Sequence, residues 1–184
     1  GADRAALDAY ERALTADPLN PTLPLAEGRV HLTAGDLLNL QVAETSSGVE
    51  RSALEAQRRE AWQKAREAFA EAVRLKSDYA EGHFLYAQVY LREGNLTDAI
   101  RSVEATAQLA PTDIGVAFQL GFLYYRAGNL NAAKDAFNRA VALNDNYSNA
   151  RYFLGLIWDQ KGDRDAALSQ FQKIAALNPD NQEV

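Results

Sequence analysis

Few side chains of this sequence have the chemistry and spacing of a catalytic or metal-binding site. The two histidines, His31 and His83, have no partner at the spacing of metal ligands, and the chain has no cysteine to supply a thiolate. Glu67 and Glu71 share one face of a predicted helix that we expect to be exposed, whereas acid–base catalysis needs a buried carboxylate pair with shifted pKa values. Glycine-rich phosphate loops and the HExxH and GxSxG motifs do not occur. We therefore predict no catalytic residue, no cofactor, no metal and no enzyme activity.

The composition of the 184 residues indicates a globular chain. Hydrophobic residues make up 47% and charged residues 24%, a balance typical of folded rather than disordered proteins. The formal net charge is −6 with both signs interspersed, whereas a nucleic-acid-binding surface needs clustered basic residues. No apolar run approaches the roughly eighteen residues that a membrane-spanning helix needs. These features argue against nucleic-acid partners and against a membrane span.

Two sequons have the acceptor pattern for N-linked glycans: Asn95-Leu96-Thr97 and Asn146-Tyr147-Ser148. Both fall in predicted connectors, where a glycan would not disturb a core. Chance alone supplies roughly one sequon in a chain with this many asparagines. Covalent glycans on Asn95 and Asn146 are therefore one alternative, and unmodified asparagines are the other.

A turn-like triplet recurs at a fixed interval. GNL begins at Gly94 and again at Gly128, and GDR begins at Gly162, so the glycines are 34 residues apart. They define three ungapped units, 80–113, 114–147 and 148–181. Apolar residues at i, i+3, i+4 and i+7 predict helices with one buried face, and a glycine in the left-handed conformation would end the first helix of each unit. Each unit is therefore a predicted helical hairpin that must stack on a neighbour to cover its apolar side.

Small and large residues also recur at fixed places within the units. They are Ala87, Gly121 and Gly155 at the eighth place, Tyr90, Tyr124 and Trp158 at the eleventh, Ala99, Ala133 and Ala167 at the twentieth, and Val103, Phe137 and Phe171 at the twenty-fourth. This pattern resembles the tetratricopeptide repeat (TPR) family over at least residues 80–181. The resemblance implies an all-α fold, namely a right-handed superhelical solenoid of antiparallel helix pairs that works through protein–protein contacts.

The resemblance extends upstream, so we predict a single solenoid over residues 1–184. Besides the three regular units, its parts are a half repeat with only the second helix at 1–20, a longer repeat at 21–79 and a tail at 182–184. In the longer repeat, Gly28 takes the eighth place and Gly35 the turn place. We interpret residues 36–60 as extensions of both helices that form one elongated helical hairpin, which projects by about 18 Å. A flexible insert is the alternative.

The places that line the concave face in the TPR family hold mostly apolar residues in this chain. These residues are Phe84, Gln88, Phe118, Phe122, Tyr125, Tyr152 and Leu156. The best-known binding mode of the family clamps a terminal carboxylate with Lys, Asn and Arg at such places. The aromatic residues instead imply a groove for an apolar helix or an extended peptide of a partner protein. The alternative is that these side chains bury one another within the solenoid.

Both ends of the predicted solenoid carry apolar residues without a polar terminal helix. They are Leu7, Tyr10 and Leu14 in the half repeat, and Phe171 and Ile174 in the last helix. If these surfaces pair, the end of one copy stacks on the start of the next, and such head-to-tail self-association builds a filament. Two alternatives stay open: a fragment of a longer repeat protein, and a monomeric adaptor that binds its partner in the aromatic groove.

The run NYSNARYFLGLIWDQKGD, residues 146–163, also resembles repeat segments at the C-terminal ends of bacterial envelope proteins of the O-antigen ligase type. That resemblance covers the last unit and none of the membrane-embedded catalytic part of that family. It implies an extracellular or cell-envelope setting rather than a cytoplasmic one.

Overall fold

The computed structural model of the chain describes residues 12–177. Within that range the helices are α1 (Thr22–Glu44), α2 (Gly48–Leu75), α3 (Ala80–Arg92), α4 (Leu96–Leu109), α5 (Ile114–Arg126), α6 (Leu130–Leu143), α7 (Ser148–Gln160) and α8 (Arg164–Leu177). Residues 12–16 are helical as well, and no strand occurs between residues 12 and 177. The predicted all-α fold is confirmed. Over the same range, no helix combines the length and the apolar character needed to cross a membrane.

The 34-residue interval follows from the lengths of helices and turns. The helices α3, α5 and α7 have 13 residues each, and α4, α6 and α8 have 14 residues each. Turns of three and of four residues alternate between them. One 13-residue helix, a three-residue turn, one 14-residue helix and a four-residue turn together fill the interval, so each regular unit is one helix pair with its connectors.

The three-residue turns share one geometry. The φ angles of Gly94, Gly128 and Gly162 are 76°, 75° and 80°, which confirms the predicted left-handed conformation. The polar residue after each glycine caps the next helix, because its side-chain oxygen accepts a hydrogen bond from the backbone N–H three residues further on. The capping residues and distances are Asn95 at 3.2 Å, Asn129 at 3.2 Å and Asp163 at 3.0 Å. The glycine thus ends one helix, and the residue after it caps the next.

The chain divides into two compact units after Ser102. In the first unit, α1 packs on α2, and α2 packs on α3. A Cβ atom on Gly28 would lie 2.5 Å from the Phe69 ring, so the glycine provides the space that the ring fills. Phe69 is fully buried, and burying a side chain of this size stabilises the fold by about 1.5–3 kcal/mol. The other buried members of this core are Leu25, Leu32, Trp62, Ala65, Ala72 and Val89.

Gly35 lies inside α1, whereas the repeat pattern placed it in a turn. The helix runs on to Glu44, and the chain turns only at residues 45–47 before α2 begins. The Trp62 ring occupies the space beside Gly35, where a Cβ atom would lie 2.3 Å from the ring. The two helices are therefore 23 and 28 residues long, well beyond the 13 and 14 residues of the regular pairs.

The outer part of this long helix pair is mostly solvent-exposed. Ser47 caps α2 by accepting a hydrogen bond from the Glu50 N–H. Val42 is buried, but Leu37, Leu40 and Val49 are 58%, 60% and 86% exposed. The apolar side chains of the outer hairpin are thus unevenly covered, because Leu38 and Leu54 are half-buried.

In the second unit, α5 packs on α6, α6 on α7, and α7 on α8. A Cβ atom on Gly121 would lie 2.7 Å from the Phe137 ring, and one on Gly155 would lie 2.6 Å from the Phe171 ring. In the repeats 114–147 and 148–181, the eighth and twenty-fourth places therefore form one glycine–phenylalanine contact. The buried core contains Ala117, Ala133, Phe137, Ala140, Ala150, Leu154 and Ile157.

Candidate protein-binding surface

An aromatic cluster occupies the first helices of the two regular repeats in the second unit. Its centre is Phe153, whose ring centroid lies 5.9 Å from that of Phe118, 5.5 Å from Phe122, 5.3 Å from Tyr125 and 5.7 Å from Tyr152. All four pairs are tilted or edge-to-face, the arrangements that the ring quadrupoles favour. Phe153, which is not among the predicted groove residues, thus contacts four residues that are.

The family pattern does not identify Phe153, because this residue stands at the sixth place of its repeat, next to the fifth place that lines the concave face. Its ring also stacks on the fully buried Phe137, with a centroid distance of 5.1 Å and an interplanar angle of 11°. This side chain therefore connects the aromatic surface with the core of the second unit.

The members of the cluster differ in exposure. Phe122 is 37% exposed and Tyr152 is 49% exposed. Phe118 is half-buried and packs on Phe137 and Tyr147 with centroid distances of 5.6 and 5.5 Å. Two rings can therefore still contact a partner, while the Phe118 ring is largely used within the fold.

Tyr125 and Leu156 are half-buried at the margin of this surface. The Tyr125 hydroxyl accepts a hydrogen bond from Gln160 Nε2 at 2.6 Å. This bond holds the ring in place beside Phe153 and satisfies its polar end.

The other two predicted groove residues, Phe84 and Gln88, lie on α3 in the first unit and are half-buried. Both the backbone oxygen and the side-chain oxygen of Gln88 accept hydrogen bonds from Arg92 Nη1, at 3.1 and 3.3 Å. Gln88 thus serves to orient Arg92, which in turn binds Asp36 of α1.

The residues predicted to form stacking surfaces at the two ends have different environments. Leu7 and Tyr10 lie outside the described residues, and Leu14 is 40% exposed. Phe171 is half-buried, with its ring 6.1 Å from that of Tyr152. Ile174 is only 5% exposed, so its assignment to an open surface is corrected.

The burial of Ile174 follows from its position on α8. It lies three residues after Phe171, whose ring fills the space beside Gly155 of α7, so both side chains lie on the helix face that packs against α7. The exposed apolar residues of α8 are instead Leu168 at 54% and Leu177 at 37%.

The residues considered for acid–base or metal chemistry have structural partners. His83 Nε2 lies 3.0 Å from the Ser77 carbonyl oxygen. Glu71 accepts two hydrogen bonds of 2.6 Å from Arg74, which lower the pKa of its carboxyl, so it stays ionised at neutral pH. His31, Glu67 and Glu71 line one cavity of about 600 Å³. Between residues 12 and 177 no group of three or more His, Cys, Asp or Glu residues has the arrangement of a metal site.

Both sequon asparagines are exposed. Asn95 caps α4 through its side-chain oxygen, while its Nδ2 donates a 2.7 Å hydrogen bond to Asp98. Asn146 lies in the four-residue turn before α7.

Comparisons with known proteins address the fold. A family model of the tetratricopeptide repeat matches residues 51–114 and 118–182. A crystal structure of MamA is 21% identical with a TM-score of 0.71, over 95% of this chain and 87% of that one. MamA from Desulfovibrio magneticus RS-1 (residues 41 to the end) is 19% identical with a TM-score of 0.69, and the alignment covers 100% of this chain and 89% of that one. YrrB, described as a TPR protein with an unusual peptide-binding site, is 18% identical with a TM-score of 0.59, over 94% of each chain. No curated protein sequence matched.

Proposed function

Since this chain belongs to the tetratricopeptide repeat family, we propose that it is a non-enzymatic scaffold that binds a partner peptide or helix on the aromatic surface of its second unit. The observation that carries the proposal is the exposure of Phe122 and Tyr152, whose rings both contact Phe153. Exposed aromatic rings held by a rigid neighbour lose little side-chain entropy when a partner binds, and such residues dominate the energetics of protein interfaces.

The fold similarity to YrrB supports this kind of function, because that protein is described as having a peptide-binding site. At 18% identity the similarity extends to the fold and not to particular residues. The partner chemistry is therefore argued from the side chains of this chain alone, and these favour an apolar or aromatic anchor on the partner.

The test is a selection of binding peptides from a random library, followed by affinity measurements with variants. We expect Phe122→Ala and Tyr152→Ala each to weaken the selected peptides by about 1 kcal/mol or more. Leu143→Ala is the matched control, because Leu143 is 36% exposed on α6. Peptides whose affinity survives both aromatic truncations would place the binding surface elsewhere.

Head-to-tail self-association into a filament is the second candidate. A comparison of equivalent residues in α6 and α8 supports it: Phe137 is fully buried, whereas Phe171, one interval later, is half-buried, and Leu168 on the same helix is 54% exposed. An apolar face of this kind could be covered by another copy of the chain.

Light scattering over a range of concentrations tests this candidate. We expect the mass to grow with concentration, and Leu168→Glu to prevent the growth while the far-ultraviolet circular dichroism stays unchanged. Leu168 is the better probe than Ile174, because a charge at a 5% exposed site would unfold α8 as well. A protein that remains monomeric at high concentration is not a filament subunit.

An extracellular or cell-envelope setting, with glycans on Asn95 and Asn146, also stays a prediction. Both side chains are exposed on turns, which leaves room for a glycan. The intact mass of the protein isolated from its native source tests it, because each glycan adds a discrete mass increment that disappears in the Asn95→Gln or Asn146→Gln variant.

A further inference from the structure

A basic pocket of about 340 Å³ lies in the first unit, where the base of the elongated hairpin meets α3. The side chains that define it are Arg58, Arg59, Trp62 and Arg66 of α2, together with Arg92 and Glu93 at the end of α3. Four arginines and one glutamate therefore meet in a protein whose formal net charge is −6. The pocket is separate from the aromatic surface, which belongs to the second unit.

Two of the four arginines already have close carboxylate partners. Arg92 donates to both carboxylate oxygens of Asp36, at 2.5 and 2.7 Å, in the two-pronged geometry that suits a guanidinium. Arg66 lies 3.3 Å from Glu93. Burial raises the pKa of Glu93, and the neighbouring Arg66 charge opposes this shift.

The positive charges of Arg58 and Arg59 are less well compensated. Arg58 Nη1 donates at 2.6 Å to Asn39, a neutral amide, and its guanidinium lies 5.0 Å from the centre of the Trp62 ring. Arg59 meets the Glu55 carboxylate only at 3.9 Å, and its side chain is 64% exposed. The pocket thus presents two cations that attract an external anion.

Two donors in the pocket wall also lack acceptors. Arg58 Nε and Arg66 Nε are buried without a hydrogen-bond partner among the described residues, although Arg66 lies within ion-pair distance of Glu93. A buried donor without an acceptor destabilises the fold, so such groups usually bind a ligand or an ordered water. Trp62 Nε1 is a different case, because it lies against the backbone of Gly35 on the α1 side.

We propose that this pocket binds acidic side chains of a partner peptide, with their carboxylates on Arg58, Arg59 and Arg66. Arg58 and Arg66 are eight residues apart on one helix, which separates them by about 12 Å along its axis. This spread matches several carboxylates along a peptide better than one compact anion. Arginine is the residue best suited to the site, because its planar donors match a carboxylate.

The experiment measures fluorescence anisotropy of a labelled octaglutamate peptide with the full chain, with octaglutamine as the uncharged counterpart. We expect octaglutamate to bind, octaglutamine not to bind, and Arg58→Gln/Arg59→Gln to weaken octaglutamate by at least about tenfold. The control is Arg74→Gln/Arg101→Gln, which removes the same charge at two exposed sites outside the pocket. Its affinity should stay within about twofold of the wild type.

Circular dichroism first establishes that each variant is folded. If the double variant does not fold, Arg59→Glu replaces it, since that side chain is 64% exposed, and it should weaken the peptide at least about fivefold. Equal weakening by the control pair, or no octaglutamate binding, overturns the proposal. Displacement of the peptide by inorganic phosphate at constant ionic strength also overturns it, because the site would then prefer a compact anion. Phe122→Ala should leave this binding unchanged, which separates the pocket from the aromatic surface.

Discussion

The contact between Gly121 and Phe137 gives the most direct test of how a regular repeat is packed. In Gly121→Ala the new Cβ would lie 2.7 Å from Cδ1 and Cε1 of the Phe137 ring. Carbon atoms in favourable contact are about 3.5–4.0 Å apart, so the ring would have to move by roughly 1 Å. Phe137 has no exposed surface, and Phe153 and Phe118 pack on it at 5.1 and 5.6 Å. These neighbours leave no free volume into which the Phe137 ring could shift.

Two opposing terms set the size of the effect. Overpacking a dense core costs about 1–3 kcal/mol. Replacing a helical glycine by alanine stabilises a helix by up to about 1 kcal/mol, because alanine loses less backbone entropy. We expect Gly121→Ala to lower the free energy of unfolding by about 1–2 kcal/mol. Gly155→Ala should cost less, because the Phe171 ring that it meets is only half-buried and can shift.

Urea unfolding followed by circular dichroism measures these values. Gly48→Ala is the control, because a Cβ at Gly48 has no neighbour within 4 Å and should be tolerated. The double variant Gly121→Ala/Phe137→Leu should lose less stability than the two single variants together, since a shorter side chain leaves room for the methyl group. If Gly121→Ala is as stable as Gly48→Ala, or if the two sites show no coupling, the packing argument is wrong.

Two further predictions concern backbone strain and pH. Gly128→Ala should cost about 1–2 kcal/mol by urea unfolding although a Cβ there meets nothing within 4 Å, because the φ of 75° strains any other residue; an unchanged midpoint would contradict this. Burial and the hydrogen bond to Glu104 raise the pKa of Tyr124 to about 12, above the unfolded value of about 10. The neutral Tyr124 hydroxyl therefore stabilises the fold below pH 10, and this stabilisation is lost as the pH rises through 12. Tyr124→Phe should therefore be less stable than wild type at pH 7 and lose less stability between pH 9 and 12; parallel curves would refute the assignment.

The regular repeats could be predicted from the sequence because their determinants are local. A left-handed glycine, a capping side chain and an apolar face with helical spacing each act within a few residues of the chain. Gly94, Gly128 and Gly162 accordingly have the predicted conformation. The small residues at the eighth place could be recognised for the same reason, although the ring that each one receives comes from the partner helix.

The details of the aromatic surface could not be derived in this way. Phe153 contacts four rings of the cluster, three of which belong to α5. Those three contacts depend on how α5 and α7 are placed relative to each other. The sequence places Ile174 on an apolar stripe but does not say which part of that stripe the preceding helix already covers. Periodicity identifies a buried face, whereas exposure depends on the neighbours that the face meets.

The longer repeat shows how tertiary contacts override a local turn signal. Gly35-Asp36-Leu37 has the same pattern as the turns at Gly94 and Gly128, yet it is helical throughout. Trp62 fills the space beside Gly35, and Asp36, which would cap a helix in a regular turn, instead binds Arg92. In the longer repeat the turn is therefore absent. The residue at the capping place, Asp36, instead binds Arg92, which lines the basic pocket. Asp36, Arg58 and Arg59 all lie within residues 36–60, the part by which this repeat exceeds a regular one, so the pocket cannot be inferred from the family pattern.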